Sequence, residues 1–250
     1  MNGLLMHTKD GRYTSYDDVC SVPVPEATKS YQPLPNETLI GLVRDAIKSR
    51  IGYPIIDETY GLSGKDQQMF GVIRVGLDSS ETGLSIGLRN DYGKMLAAAI
   101  AGGAYVFVCD NLCFSGEYVT VMRKHTTHIL RDLPALVSHA MGKCPVAFER
   151  MNEQLEAMKD VPVSLDAGYG GIGRALGYGL LKPQQATIAI NDWRTPRHEE
   201  FSERNLYSLY NCYTEGLKKG SAGGAIGRLS SLHDWVCELL PGPTTTVAVA

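Results

Sequence analysis

The sequence predicts an α+β fold in which a curved antiparallel sheet has helices packed on one face and is followed by a helical C-terminal third. Short β-rich segments separated by Gly, Asp or Ser follow residue 54, and amphipathic helical patterns flank them. Of the 250 residues, 44% are hydrophobic and 20% charged, as in folded globular proteins. With neither repeats nor a low-complexity linker, we expect one domain over 1–250.

Bulk charge and hydropathy narrow the possible partners. The formal net charge is -3, so nucleic-acid binding would require a local basic patch. No apolar run is long enough for a signal sequence or a membrane span. The six cysteines are scattered along the chain. We therefore expect a cytoplasmic protein with reduced thiols and no membrane partner.

The first half of the chain predicts one helix and three strands. Residues 1–36 are rich in proline and are predicted to form an irregular arm. A helix is expected over 37–52, with Asn36 or Thr38 as N-cap and Gly52 at its end. The predicted strands are 54–63, 67–80 and 82–90.

The second half predicts a hairpin between helices. The alanine-rich segment 91–103 has a helical pattern, and strands are expected over 104–110 and 117–126. A long helix is predicted from 126 to 159, kinked or split by Pro134 and by the "GKCP" at 142–145. Residues 160–250 are predicted to be mostly helical.

Two glycine-rich motifs are similar to phosphate-binding loops. "GLSGKD" at 61–66 lacks the first glycine and the Ser or Thr that a phosphate loop requires. "GYGGIG" at 168–173 has dinucleotide-binding spacing, but helical patterns follow it where parallel strands are needed. We interpret the second motif as a flexible loop and expect no cofactor.

The segment "VFVCDNLCFSGE" at 106–117 combines several reactive side chains. Asp, Asn and Ser commonly hydrogen-bond their own backbone in turns, which is the simplest interpretation. A catalytic pocket involving His125 remains an alternative. The polar, thiol and aromatic residues of this loop are Cys109, Asp110, Asn111, Phe114, Ser115 and Glu117.

A zinc site is a further alternative for this region. Cys109, Cys113, His125 and His128 nearly match the spacing of a two-cysteine, two-histidine finger. The histidine spacing is one residue short of the usual range, and no separate small core is evident. We therefore predict no metal.

Polar and basic residues cluster at two predicted strand-to-helix junctions. Helix N-termini favour anions, so two such junctions would line a groove for a phosphate backbone. Phe114 or Tyr118 would stack on bases. The predicted nucleic-acid-binding residues are Arg89, Asn90, Lys94, Arg123, Lys124 and His125.

Residues 85–219 resemble the phage/plasmid-like family classed as domain of unknown function 932. The resemblance rests on Arg89–Lys94, on "VFVCDNLCFSGE", on "RKHT" at 123–126 and on the helix at 205–219. Asp91 stands where the family usually has a serine, so no role is carried over for a hydroxyl there. The resemblance implies a bacteriophage or plasmid context.

Three functional hypotheses follow. The first is an accessory protein that binds single-stranded DNA in replication or recombination as a homo-oligomer, since the strand and helix order is similar to that of phage single-strand annealing proteins. The second is a protein-interaction factor, such as a host-defence inhibitor or oligomeric scaffold with a host or phage protein partner. The third is an enzyme with a Cys/Asp/His pocket.

Overall fold

The computed structural model describes residues 11–78, 82–106, 111–114, 120–219 and 225–241. Within these ranges seven strands form one antiparallel sheet in the order β1-β2-β3-β4-β5-β6, with β7 also paired to β5. The strands are β1 (Arg12–Thr14), β2 (Ile55–Ser63), β3 (Gln68–Asp78), β4 (Thr82–Asp91), β5 (Ala98–Val106), β6 (Asn111–Phe114) and β7 (Thr120–Arg123).

Helices precede and follow the sheet, which confirms the predicted α+β class and the helical C-terminal third. Two short elements, a π-helical turn (Ile47–Ile51) and a 3-10 turn (Glu199–Phe201), interrupt them. The α-helices are α1 (Tyr16–Ser21), α2 (Asn36–Ala46), α3 (Ile129–Lys159), α4 (Leu165–Gly177), α5 (Pro183–Arg194), α6 (Leu206–Leu217) and α7 (Ala225–Cys237). Among the helices of the described ranges, none has the length and apolar character needed to cross a bilayer.

The main core lies between the sheet and helices α2 and α3. Leu84, Ile86 and Leu88 of β4 belong to this core, and β4 is buried at every residue. The same buried cluster continues through α3 to the C-terminal helices, where Trp193 and Tyr210 are fully enclosed. One continuous core therefore joins the sheet to the helical third.

Helix α2 begins and ends close to the predicted positions. Its N-cap is Pro35 rather than Asn36 or Thr38, because the Asn36 side chain hydrogen-bonds elsewhere in the core. The helix continues as the π-helical turn, and Gly52 ends it with a left-handed φ of 78°. Glycine reaches this conformation without a Cβ clash.

The helix predicted over 91–103 is wrong, because Ala98–Val106 forms strand β5. From Ala99 to Val106 it pairs with β4 without a break, for example Ala99 with Arg89 and Ala101 with Gly87. Its other edge pairs with β6 and β7. Alanine favours helix in isolation, but hydrogen-bonded ladders on both edges override that local preference.

The irregular arm predicted over 1–36 is also partly wrong. Residues 11–36 contain β1, which pairs with β2, and the helix α1. Ser15 caps α1 by accepting a hydrogen bond from the Asp18 backbone N–H at 3.1 Å, and the Ser15 backbone N–H donates to the Asp18 carboxylate at 3.4 Å. This reciprocal capping box is a helix start that the proline content obscured. Residues 1–10 lie outside the described ranges.

The predicted hairpin 104–126 has one more strand than expected. β6 and β7 lie one after the other along the same edge of β5, with Leu112 opposite Tyr105 and Val121 opposite Ile100. Asn111–Phe114 is therefore a strand and not part of a connection. Cys109, Asp110, Ser115, Glu117 and Tyr118 lie outside the described residues.

The glycine-rich motif at 168–173 is helical, so the predicted loop is wrong. It lies inside α4, where Gly168 packs against Trp193 and Gly171 against Tyr213. It is therefore not the turn between a strand and a helix that a dinucleotide site requires. Helix α3 likewise runs unbroken for 31 residues through Pro134 and Pro145, so it is not split.

Candidate functional site

The two polar blocks of the sequence, Arg89–Lys94 and Arg123–Thr126, meet at one end of the sheet. Strand β4 ends in the first block, and β7 ends in the second, where Arg123 pairs with Ala98 at the start of β5. The direct link is a 2.8 Å hydrogen bond between His125 Nε2 and Asn90 Oδ1. We call this end of the sheet, which also carries the β2–β3 and β4–β5 turns, the turn end.

Asn90 is the centre of a buried hydrogen-bond chain. Its Nδ2 donates to Leu34 O at 2.7 Å and to Asn36 Oδ1 at 2.8 Å. Asn36 Nδ2 in turn donates to Val19 O at 3.2 Å. Both amides are almost fully enclosed. The chain therefore joins α1, the start of α2 and the end of β4 through satisfied buried groups.

The same chain assigns the protonation of His125. Because Asn90 uses its amide nitrogen as a donor to two oxygens, its Oδ1 must accept, and His125 Nε2 must carry the proton. Burial lowers the pKa of His125 below its usual range, with the Asp91 carboxylate opposing the shift. The imidazole is thus a neutral Nε2–H donor at neutral pH, which suits a structural link better than a general base.

Asp91 closes the β4–β5 turn. Its Oδ1 accepts from the Gly93 backbone N–H at 2.7 Å and its Oδ2 from the Leu96 N–H at 2.8 Å. A carboxylate accepts both bonds at once, which a single hydroxyl could do less well. Asp91 therefore has a defined structural role in this turn.

The two arginines of the blocks are engaged within the protein: Arg89 is buried, and Arg123 is half-buried and ion-paired. Arg89 is 7% exposed, and its Nε donates to Ala97 O at 3.1 Å. Burial lowers the pKa of Arg89, with Asp91 again opposing. Arg123 is ion-paired with Asp132 in the first turn of α3, and Arg131 donates to the same carboxylate at 2.9 Å. These pairs lower the pKa of Asp132.

Lys94 and Lys124 remain exposed at the turn end, and we call them the basic rim. The Lys94 ammonium lies 4.2 Å from the centroid of the Tyr31 ring. Tyr31 packs against His125, with ring centroids 5.8 Å apart, and Lys124 precedes His125 in the chain. The Asn90 chain therefore places both lysines on one surface.

The structure brings all six predicted nucleic-acid-binding residues to the turn end but divides their roles. Arg89, Asn90 and His125 are buried, and Arg123 is ion-paired, whereas the basic rim faces solvent. Sequence reasoning missed Tyr31, which supports both sides of the rim from a proline-rich segment far away in the chain. No local pattern marks such a residue.

Of the reactive side chains predicted in the 106–117 loop, Cys109, Asp110, Ser115 and Glu117 lie outside the described residues. Within the described ranges no three His, Cys, Asp or Glu side chains are grouped as metal ligands. Burial raises the pKa of the Cys144 thiol to about 12 and also raises that of Cys212. These two thiols are therefore protonated and unreactive.

A second buried polar cluster lies between α3, α6 and α7. His233 Nδ1 is 3.1 Å from the Tyr210 hydroxyl, and its Nε2 is 3.1 Å from Gln154 Oε1 and 3.4 Å from Cys237 Sγ. Because the amide oxygen Gln154 Oε1 can only accept, His233 Nε2 carries the proton and cannot act as a base toward Cys237. Burial lowers the pKa of His233 to about 4. This cluster is consistent with a structural role.

Comparison with known proteins adds no relative. No protein-family model matches the chain, and neither a curated protein nor a solved structure does.

Proposed function

We propose that this chain is a nucleic-acid-binding accessory protein of the phage/plasmid-like family, acting in DNA replication or recombination in the host cytoplasm. The observation that carries the proposal is the division of roles at the turn end. The buried Asn90 chain holds the surface, and the lysines of the basic rim project from it. Exposed lysines held on a hydrogen-bonded frame are suited to contact phosphates.

The charge distribution favours the turn end, rather than the exposed face of α3, as the nucleic-acid-binding surface. The exposed charges of α3 include both signs, such as Arg150 beside Glu149 and Glu153. At the turn end, by contrast, the nearby carboxylates are engaged: Asp91 with backbone N–H groups, Asp132 with arginines. A polyanion therefore meets a locally positive surface on a protein whose net charge is -3.

The proposal is tested by fluorescence anisotropy with a labelled oligo(dT) of about 20 nucleotides. We expect binding in about 50 mM salt that weakens strongly at about 200 mM. The Lys94→Glu/Lys124→Glu variant should bind about tenfold more weakly or worse at the lower salt, because two phosphate contacts become repulsive.

The matched control is Lys48→Glu/Lys143→Glu, which changes net charge equally. Lys48 lies in the π-helical turn before β2, at the opposite end of the sheet, and Lys143 is about 21 Å along α3 from its first residue. The control should bind like the unchanged protein. Absence of binding at micromolar protein and low salt, or equal losses in both variants, would contradict the proposal.

A further inference from the structure

We propose that Lys65 extends the basic rim into a straight lysine track of Lys65, Lys94 and Lys124, which binds one phosphodiester strand across the ends of the β-strands. This inference rests on the proposed function and adds a residue, a footprint and a strand type to it. Lys65 lies in the "GLSGKD" segment at 61–66, which is not a phosphate loop but forms the end of β2 and the start of the β2–β3 turn.

The β2–β3 and β4–β5 turns are in direct contact. The Tyr92 backbone N–H donates to Gln67 O at 2.8 Å, and Gln68 Nε2 donates to Asp91 Oδ2 at 3.4 Å. A Cβ on Gly93 would lie 3.7 Å from the Gln67 side chain. Lys65 is two residues before Gln67, and Lys94 follows Gly93, so both lysines stand on one continuous surface.

Sheet geometry gives the spacing of the track. Neighbouring strands lie about 4.8 Å apart, so the centres of the two turns are separated by about 10 Å. Lys124 follows β7, which pairs with β5, and this adds about 7 Å in the same direction. The track is thus about 17 Å long and one lysine wide. A single row of cations matches one phosphate backbone, and its length suits about four nucleotides.

The backbone conformation at Lys65 and Lys94 independently supports a functional role for these two side chains. Among the described residues the non-glycine positions with positive φ are Lys65 at 57°, Asp66 at 64° and Lys94 at 63°. Glycine or asparagine would occupy this region with less strain. Lysine at two such positions on one surface is typical of strain retained at a functional site.

The carboxylates beside the lysine track are engaged with other groups, so the track keeps its positive charge. The Asp66 carboxylate is ion-paired with Arg12 at 3.0 Å, and that of Asp91 accepts backbone hydrogen bonds inside its turn. Lys65 and Lys124 make no ion pair in the part of the chain that the structure describes. All contacts would be to phosphates, so binding should be independent of base sequence.

The test measures the salt dependence of oligo(dT) binding for single neutralising variants. For single strands each phosphate contact contributes about 0.7 to the slope of log affinity against log salt, so three contacts predict a slope of about -2. Lys65→Gln, Lys94→Gln and Lys124→Gln should each reduce its magnitude by about 0.7, and Lys143→Gln should not change it. Circular dichroism checks that each variant is folded.

The outcomes separate this inference from the proposed function. A normal slope for Lys65→Gln, with reduced slopes for the other two, removes Lys65 from the track but leaves the basic rim as a binding surface. Equal affinity for a duplex of the same length overturns the single-strand assignment. Affinity should rise from two to about four nucleotides and then level off; a continued steep rise to about 16 nucleotides would also overturn it. No binding at low salt overturns both proposals.

Discussion

At the scale of single residues, Asn90 links two distant parts of the chain, the start of α2 and the segment before α3, to the end of β4. Its amide contacts the segment before α2, the Asn36 side chain and the imidazole of His125. All of its hydrogen bonds are buried, so water cannot replace a lost partner. The energetic cost of removing one partner from such a chain is dominated by the groups left unsatisfied.

We expect Asn90→Ala to lower the free energy of unfolding by about 3 kcal/mol, because Leu34 O, Asn36 Oδ1 and the His125 N–H each lose a bond. Urea denaturation measures this loss. Asn191→Ala, at an exposed position of α5, should change stability by less than about 0.5 kcal/mol. A double-mutant cycle of Asn90→Ala with His125→Ala should give a coupling of at least about 1 kcal/mol; additive effects would show that the two side chains do not interact.

At the scale of elements, the packing of α4 depends on which glycines face its neighbours. A Cβ on Gly168 would lie 2.1 Å from Trp193 Nε1, which itself donates to Leu165 O at 3.0 Å. A Cβ on Gly170 would meet nothing within 4 Å. The motif "GYGGIG" therefore contains both a contact glycine and an exposed one within a single helical turn.

These two glycines should respond oppositely to alanine. Gly168→Ala should destabilise the protein by about 2 to 3 kcal/mol, because the fully buried Trp193 cannot move aside without losing its packing and its hydrogen bond. Gly170→Ala should stabilise it by up to about 1 kcal/mol through helix propensity. Thermal unfolding of both variants measures the difference. Similar effects at the two positions would mean that α4 is not packed on α5 in this way.

The sequence predicts the elements that have a clear period and misses those set by tertiary contacts. Helix α2 and strands β2 to β4 follow from hydrophobic spacing and are found where expected. The first part of strand β5, before residue 104, was predicted as helix because alanine favours helix locally, and only pairing on both edges makes the segment a strand. Helix α4 was missed because glycine predicts a loop, whereas here it permits close helix contact.

The candidate site at the turn end likewise has features that the sequence predicts and features that only tertiary contacts determine. The two polar blocks are visible in the sequence, and their polar composition indicates a shared surface. Which of their members are buried depends on the sheet register and on residues far away, such as Tyr31 and Asn36. Thus Arg89 could not be distinguished from Lys94 without the fold. Lys65 could not be connected to either, because its turn touches theirs only in three dimensions.

At the scale of the whole molecule, two buried histidines make the fold sensitive to acid. His125 joins the sheet to the segment before α3, and His233 lies between α3, α6 and α7. Burial lowers the pKa of both, with Asp91 opposing the shift at His125 and Asp234 at His233. The folded state therefore disfavours protonated imidazole at both sites, whereas the unfolded chain protonates freely.

The sign of the pH effect follows from proton linkage. Between the unfolded pKa of 6.5 and the folded pKa of about 4 for His233, the unfolded chain binds more protons, so stability falls as pH decreases. Above the unfolded pKa both states are neutral, and this contribution to stability is fully present. The lowered pKa of His125 acts in the same direction, beginning from the same upper limit.

We expect His233 alone to remove about 3 kcal/mol of stability between pH 7 and pH 4, since each unit of pKa difference corresponds to about 1.4 kcal/mol. The measurement is urea denaturation across this range for the unchanged protein and for His233→Gln. Titrating carboxylates contribute to the pH dependence of both proteins, so the difference between the two curves isolates the histidine.

The His233→Gln variant should be less stable at pH 7, because Gln does not fill the site equally, but its stability should fall less steeply below pH 6.5. His139→Gln, at an exposed position of α3, is the control for a histidine substitution outside the buried cluster. If the curve for His233→Gln ran parallel to that of the unchanged protein, His233 would take up a proton as readily in the folded state as in the unfolded chain. That result would contradict the burial of His233 between α3, α6 and α7.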